Sequence, residues 1–149
     1  MSFKFNKDAA SDKKYIDRPG VFEVTIVSAN TGIKGTRASF VASLVMKTSD
    51  GEYCTKDVYK DPDSKGNYTI LEQFMASTCT DIEAQKYSAL PESFTPDEEF
   101  LKLVADRSVG RRVNVDIRPD KWIKDGVERI SHKVAFFRRH PKGPSDEPF

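Results

Sequence analysis

The sequence predicts a mainly β domain, with five strands in Greek-key order curled into a small barrel and a helical insert between the third and fourth. Three observations predict it. Short segments that alternate apolar and polar residues occupy both ends of the chain. The middle carries apolar residues at helical spacing instead. Turn signals rich in Gly, Asp and Pro separate the alternating segments.

The elements follow in order. Residues 1–19 are polar, contain five lysines or arginines and end at Pro19-Gly20, which reads as a flexible N-terminal arm. Val21–Val27 alternates, with Phe22, Val24 and Ile26 on one face, and makes the first strand. Asn30–Arg37 reads as a loop with two glycines and two cations, Lys34 and Arg37. Ala38–Lys47 is a largely buried second strand, and Ser49-Asp50-Gly51 turns the chain. Glu52–Tyr59 is the third strand, with Tyr53, Thr55, Asp57 and Tyr59 on one face and Cys54, Lys56 and Val58 on the other. A polar loop from Lys60 to Asn67 leads into Tyr68–Cys79, where Ile70, Leu71, Phe74 and Met75 have helical spacing. A second helix starts at Thr95-Pro96-Asp97-Glu98. Thr95 can cap it, Pro96 suits its first turn and the acids face the positive end of the helix dipole. Phe100, Leu101 and Val104 form its buried stripe.

Arg111–Arg118 alternates cleanly, with Val113, Val115 and Ile117 inward. Pro119–Gly126 reads as a long hairpin tip, and Val127–Arg138 is the final strand. Five strands with a helix between the third and fourth is the order of an OB-fold, a Greek-key barrel. A small sandwich or another five-stranded barrel are the alternatives. The domain boundaries are 20–140 for the barrel and 141–149 for an acidic tail. Pro141, Gly143, Pro144 and Pro148 keep that tail out of helix and strand.

At 149 residues the chain suits one domain, large enough to form a core without disulfides or metal. No apolar run approaches the roughly 18 residues that span a membrane, and the N-terminus lacks a signal peptide's apolar core. Cys54 and Cys79 form no framework, so both read as reduced thiols and the location as cytoplasmic.

The net charge of +1 hides an asymmetry. From Asp81 to Asp106 seven acids and two lysines give −5, while from Arg107 to Lys142 eleven bases and four acids give +7. Such a basic region suits a polyanion, although solvated strand faces also produce it. Catalysis finds no support. His132 and His140 have no partner at a useful spacing, and no nucleophile elbow, phosphate-binding loop or metal-ligand spacing is present. His132 alternates with Ile130 and Val134 and reads as a core or barrel-wall residue. No cofactor or metal is expected.

What remains is aromatics interleaved with cations, the pairing that single-stranded nucleic acid needs for its bases and phosphates. OB-folds bind from their second and third strands and from the loops joining strands 1–2 and 4–5. Those places offer Lys34 and Arg37, then Tyr53, Lys56, Tyr59 and Lys60, then Lys121, Trp122 and Lys124, expected to converge on one side of the barrel. Arg112 and Arg118 add cations from the fourth strand. Trp122, the single Trp, is either a lid on the core or a stacking platform, and its flanking lysines favour exposure. Tyr53 and Tyr59 either stack on bases or pack on the barrel. Phe136 and Phe137 point to opposite faces, and Arg138 and Arg139 either hold phosphates or cap the sheet with charge.

Two resemblances sharpen this. Ser145–Phe149 reads Ser-Asp-Glu-Pro-Phe, which resembles the acidic tip of bacterial single-stranded DNA-binding proteins, although the acidic run here is shorter. In that family the tip docks replication and repair enzymes. The resemblance implies Asp146 and Glu147 as its acids, Pro148 as its turn and Phe149 as its anchor. Met1–Asn6 (Met-Ser-Phe-Lys-Phe-Asn), the Pro19–Ile26 opening strand and the layout through the helical insert are similar to a phage family treated as single-stranded DNA-binding. The implied function is non-catalytic, sequence-tolerant binding of single-stranded DNA in phage replication or recombination, in the host cytoplasm, with protein partners on the tail. A protein-interaction adaptor and an RNA-binding OB module are the alternatives. The sequence is also compatible with a homo-oligomer.

Overall fold

The computed structural model describes residues 14–145. Its elements are β1 (Lys14–Tyr15), β2 (Gly20–Lys34), β3 (Ser39–Lys47), β4 (Glu52–Tyr59), α1 (Thr69–Thr78), α2 (Asp81–Ser88), α3 (Glu98–Ser108), β5 (Arg112–Lys124) and β6 (Val127–Arg138). The strands form one sheet in the order β1-β4-β3-β2-β5-β6, antiparallel throughout except where β1 runs parallel to β4. Strands β2 to β6 have the order and connections of the expected OB-fold, with the helices between β4 and β5. β2 serves both halves of the sheet. Gly20–Thr25 pairs with β5, and Thr25–Lys34 pairs with β3 across a bulge between Ile26 and Ser28. A bulge bends and twists its strand, which lets one long strand turn the corner of a barrel. β4 lies near β6 without hydrogen-bonded pairing, so the sheet curls into a half-barrel and stays open there.

The inward faces follow the alternation. Val24, Ile26, Leu44, Met46, Val58, Val113, Val115 and Ile117 are almost wholly buried. Phe74 of α1 fills the space between β4 and β6, its ring 5.5 Å from that of Phe137. Leu101 and Val104 bring α3 onto β2 and β3. α2 was not anticipated, yet it carries a full capping box: Thr80 Oγ1 accepts from the Glu83 N–H, and Glu83 Oε1 accepts from the Thr80 N–H. Glu83 also receives Arg111 at 2.6 Å. Burial works to raise the Glu83 carboxyl. The hydrogen bonds from Arg111 and Thr80, with the charges of Arg111 and Arg107, outweigh it and hold the carboxyl below its ordinary range.

Several boundaries differ from expectation for local reasons. Part of the arm is held. Lys14–Tyr15 adds a sixth, short strand, Ile16 is buried, and Arg18 grips Glu52 with two hydrogen bonds of 2.7 and 2.9 Å. β2 runs on through Thr31 and Ile33 to Lys34, leaving only Gly35–Ala38 as a turn. α3 is capped by Asp97, whose Oδ1 accepts from the Phe100 N–H, and not by Thr95. The supposed tip at Pro119–Gly126 is mostly strand. The turn is Asp125-Gly126, both at positive φ, the two-residue geometry that matches the twist of a hairpin. Pro119 is tolerated because β2 ends opposite Ile117, so its missing N–H faces a free edge.

The stretch after β6 is also tied down. Arg139 donates to the carbonyls of Ala76 and Cys79 at the end of α1. The Arg112 guanidinium donates to the carbonyls of Gly143 and Lys142, the Arg112 N–H to that of Pro144, and Pro144 is buried. Of the expected exposed tail, residues 141–145 are thus partly fastened to β5. Asp146, Glu147, Pro148 and Phe149, with residues 1–13 of the arm, lie outside the described residues.

Candidate nucleic-acid interface

Past Ile117, β5 pairs only with β6, and the two strands form a ribbon that continues beyond the rest of the sheet. Its register decides which side chains share a face. With Val113, Val115, Ile117, Val134 and Phe137 turned to the core, the other face carries Arg118 opposite Lys133, Asp120 opposite Ser131, Trp122 opposite Arg129 and Lys124 opposite Val127. Nearer the barrel the same face continues with Asp116 opposite Phe136 and Asn114 opposite Arg138. The face thus holds five cations, Arg118, Lys124, Arg129, Lys133 and Arg138, against two acids, Asp116 and Asp120.

Trp122 stands among them 42 % exposed, with Lys133 Nζ 5.9 Å from the ring centroid. It stands on the ribbon's outer face and is no lid on the core. Lys133 also contacts Asp120 at 2.9 Å. Arg118 lies over the Phe136 ring at 4.8 Å. Asp116 accepts from Arg118 and Arg138, at 3.2 Å each, and the hydrogen bond from Arg118 leads in holding its carboxyl below the usual range. A shared carboxylate keeps both guanidinium groups extended across the face while leaving each more than half exposed.

The β3–β4 face is less basic than expected. Tyr53, Thr55, Asp57 and Tyr59 point outward, and Lys47 sits over the Tyr53 ring at 4.5 Å with Tyr15 at 6.4 Å. Lys34 is matched by Asp57 at 3.1 Å and Lys60 by Asp61 at 3.3 Å. Lys56 is on the inward-facing side and half-buried. Burial pulls its ammonium below its ordinary range, Lys133 adds to that, and Asp57 opposes it.

The expected site residues therefore fall into groups. Arg118, Trp122 and Lys124 share the ribbon face. Lys121 is on the opposite face, with Glu128 at 4.0 Å. Lys34, Arg37 and Tyr59 line one cleft, which lies at the Lys34 end of β2, whereas the ribbon projects past the Gly20 end. Tyr53 stands with Lys47 and Tyr15 toward the start of β4. Arg112 holds the segment 142–145. Arg129 and Lys133 were missed because Pro119–Gly126 read as a hairpin tip, which left the final strand without a partner register to set its residues beside Trp122. The Asp125-Gly126 pair was the available signal, since a two-residue turn there sets Arg129 opposite Trp122.

The remaining chemistry-bearing groups are the two histidines and the two thiols. His140 is buried with Nε2 3.0 Å from Glu23 and Nδ1 accepting from the Lys142 N–H. His132 is half-exposed opposite Pro119. Both thiols are buried, and burial pushes that of Cys54 up to about 12. Among the described residues no group of three or more His, Cys, Asp or Glu could hold a metal ion. None of the helices among those residues is long and apolar enough to cross a membrane.

No family model and no curated protein matches this sequence. Among solved structures, the chain is similar to one described as yeast RPA bound to ssDNA, with a TM-score of 0.37 and 8 % identity over 93 % of this chain and 88 % of that one.

Proposed function

We propose that this protein binds single-stranded DNA without strong sequence preference and has no catalytic role. The observation that carries the reading is the ribbon face, where one accessible indole stands among five cations. Exposed rings are of no use on a stacked duplex. They suit unpaired bases, whose faces are free, while the cations hold the phosphates between them. Lys34, Arg37, Tyr53 and Tyr59 extend the interface along the β3–β4 side, as OB-folds do with their second and third strands. Contacts of this kind reach backbone and ring faces but no distinctive base edge, which is why the binding is tolerant of sequence.

Two finer parts of the proposal rest on the sequence resemblances. The likeness of Met1–Asn6 and Pro19–Ile26 to phage single-stranded DNA-binding proteins supports a role in phage DNA replication or recombination, in the host cytoplasm. The likeness of Asp146–Phe149 to a bacterial acidic tip supports docking of a replication or recombination protein, with Phe149 as anchor. Competition tests the central claim. A labelled oligo-dT bound by the full chain should be displaced by unlabelled single-stranded DNA of mixed sequence and far less well by duplex of the same length. Preferential displacement by duplex overturns the proposal, and preferential displacement by RNA moves it to RNA.

A further inference from the structure

Loop Gly35–Ala38 and the segment after β4 face each other across a cleft of about 450 Å³, lined among others by Lys34, Arg37, Tyr59, Asn67 and Tyr68. Its size falls within the range of roughly 300–1,000 Å³ over which proteins hold small ligands. Of its four charged residues, Lys34 is ion-paired with Asp57 and Asp61 with Lys60, while Asp63 keeps its charge with backbone N–H donors only, those of Lys65 and Asn67. Arg37 has no hydrogen bond or ion pair among the described residues, and neither the Tyr59 hydroxyl nor the Asn67 side-chain amide has a hydrogen bond. The cleft thus presents the Arg37 guanidinium, the half-exposed Tyr59 ring and the Asn67 amide, which can both donate and accept, beside the Tyr68 ring and the hydroxyls of Thr36, Ser39 and Thr69. The loop that carries Arg37 is held in shape by Ala38 at φ 51, a backbone conformation that non-glycine residues adopt at a cost and that concentrates at binding loops.

We infer that this cleft receives a single nucleotide of the bound strand, turned out of line, with its base on Tyr59, its phosphate on Arg37 and the Asn67 amide on the base edge. Tyr59, Arg37 and Asn67 match a ring, an anion and a polar edge, and Arg37 is the one cation of the lining without an ion pair among the described residues, so the cleft suits one nucleotide and not a run of them. An amide can present its donor or its acceptor by rotating, so it serves bases of either polarity. The inference rests on the single-strand reading above and adds to it a fixed register. A strand whose one nucleotide is captured cannot slide freely past the ribbon.

The probe is an oligo-dT with one thymine replaced by fluorescent 2-aminopurine, walked along the oligonucleotide and bound by the full chain. At one position the fluorescence should change sharply on binding, and both Tyr59→Ala and Arg37→Glu should abolish that change. Tyr59→Ala should also weaken overall binding by at least about fivefold, while Trp122 quenching by the oligonucleotide persists. Arg37 lies in an exposed turn outside the core, so its variant reads the cleft even where Tyr59→Ala disturbs the fold. A probe response identical in wild type and Arg37→Glu, with Trp122 still quenched, overturns the cleft alone. Absence of both signals in the wild type overturns the single-strand reading, and the cleft with it.

Discussion

Replacing Trp122 with Ala separates a stacking role from a structural one, because the ribbon makes the two costs unequal. Beyond Ile117 the ribbon has no third strand, so Trp122 has Arg129 as its cross-strand partner and Lys133 over its ring. A cross-strand pair contributes about 0.2–1 kcal/mol, and in a chain of this length 1 kcal/mol moves the melting temperature by roughly 2–4 °C. Loss of a base–ring stack costs about 1–3 kcal/mol of binding, some 5- to 150-fold in Kd. The expected result is a melting temperature within a few degrees of wild type and an affinity for oligo-dT lower by one to two orders of magnitude. The assay is anisotropy of a labelled oligonucleotide, paired with thermal unfolding by circular dichroism. Because Trp122 is the single Trp in the sequence, quenching of indole fluorescence by the unlabelled oligonucleotide reports on this residue alone. A variant that melts much lower yet binds as tightly as wild type refutes the reasoning and makes Trp122 a structural residue of the hairpin.

Two further outcomes follow from the charge pattern of the same face. Five cations against two acids should contribute about −2 to −3.5 to the slope of log affinity against log salt on single strands, the Arg37 contact of the cleft should add about −0.7, and Lys133→Ala should reduce the total by about 0.7; a slope near zero in a salt titration removes the electrostatic half of the mechanism. Asp116 is held below its ordinary range by Arg118 and Arg138, so it stabilises the fold above the unfolded value near 4, and that contribution is lost as the pH falls through the lower native value. Asp116→Asn should therefore be less stable than wild type at pH 7, with the gap narrowing in acid, and should bind oligo-dT more tightly at low salt; a gap that does not change with pH shows that the carboxylate charge is not what stabilises.

How much of this was readable in advance depended on whether the deciding physics was local. The inward faces were readable because burial is written residue by residue: Val113, Val115 and Ile117 alternate with polar neighbours, and all three are buried. Strand lengths were harder. Polar composition suggested a loop at Asn30–Lys34, but those residues gain ladder hydrogen bonds with Ser39–Ser43, and pairing outweighs the intrinsic preference of Asn and Gly. Pro119 misled in the same way. A proline breaks a strand only where its N–H is needed, and that depends on β2 ending opposite Ile117, a fact about another part of the chain.

The site was less legible, since a site is made by register. Lys34, Lys56 and Lys60 looked alike in the sequence as free cations near tyrosines. Folding gives Lys34 to Asp57, Lys60 to Asp61 and turns Lys56 toward the interior, and none of those fates follows from composition. Arg129 and Lys133 lay in what read simply as a closing strand. They become part of the face only when Asp125 and Gly126 form the turn, because moving that turn by one residue changes each cross-strand partner and which faces meet. The two positive φ angles at the tip thus do more than join two strands. They set Arg129 opposite Trp122 and Lys133 opposite Arg118, and so hold the cations of β6 on the face where the indole stands.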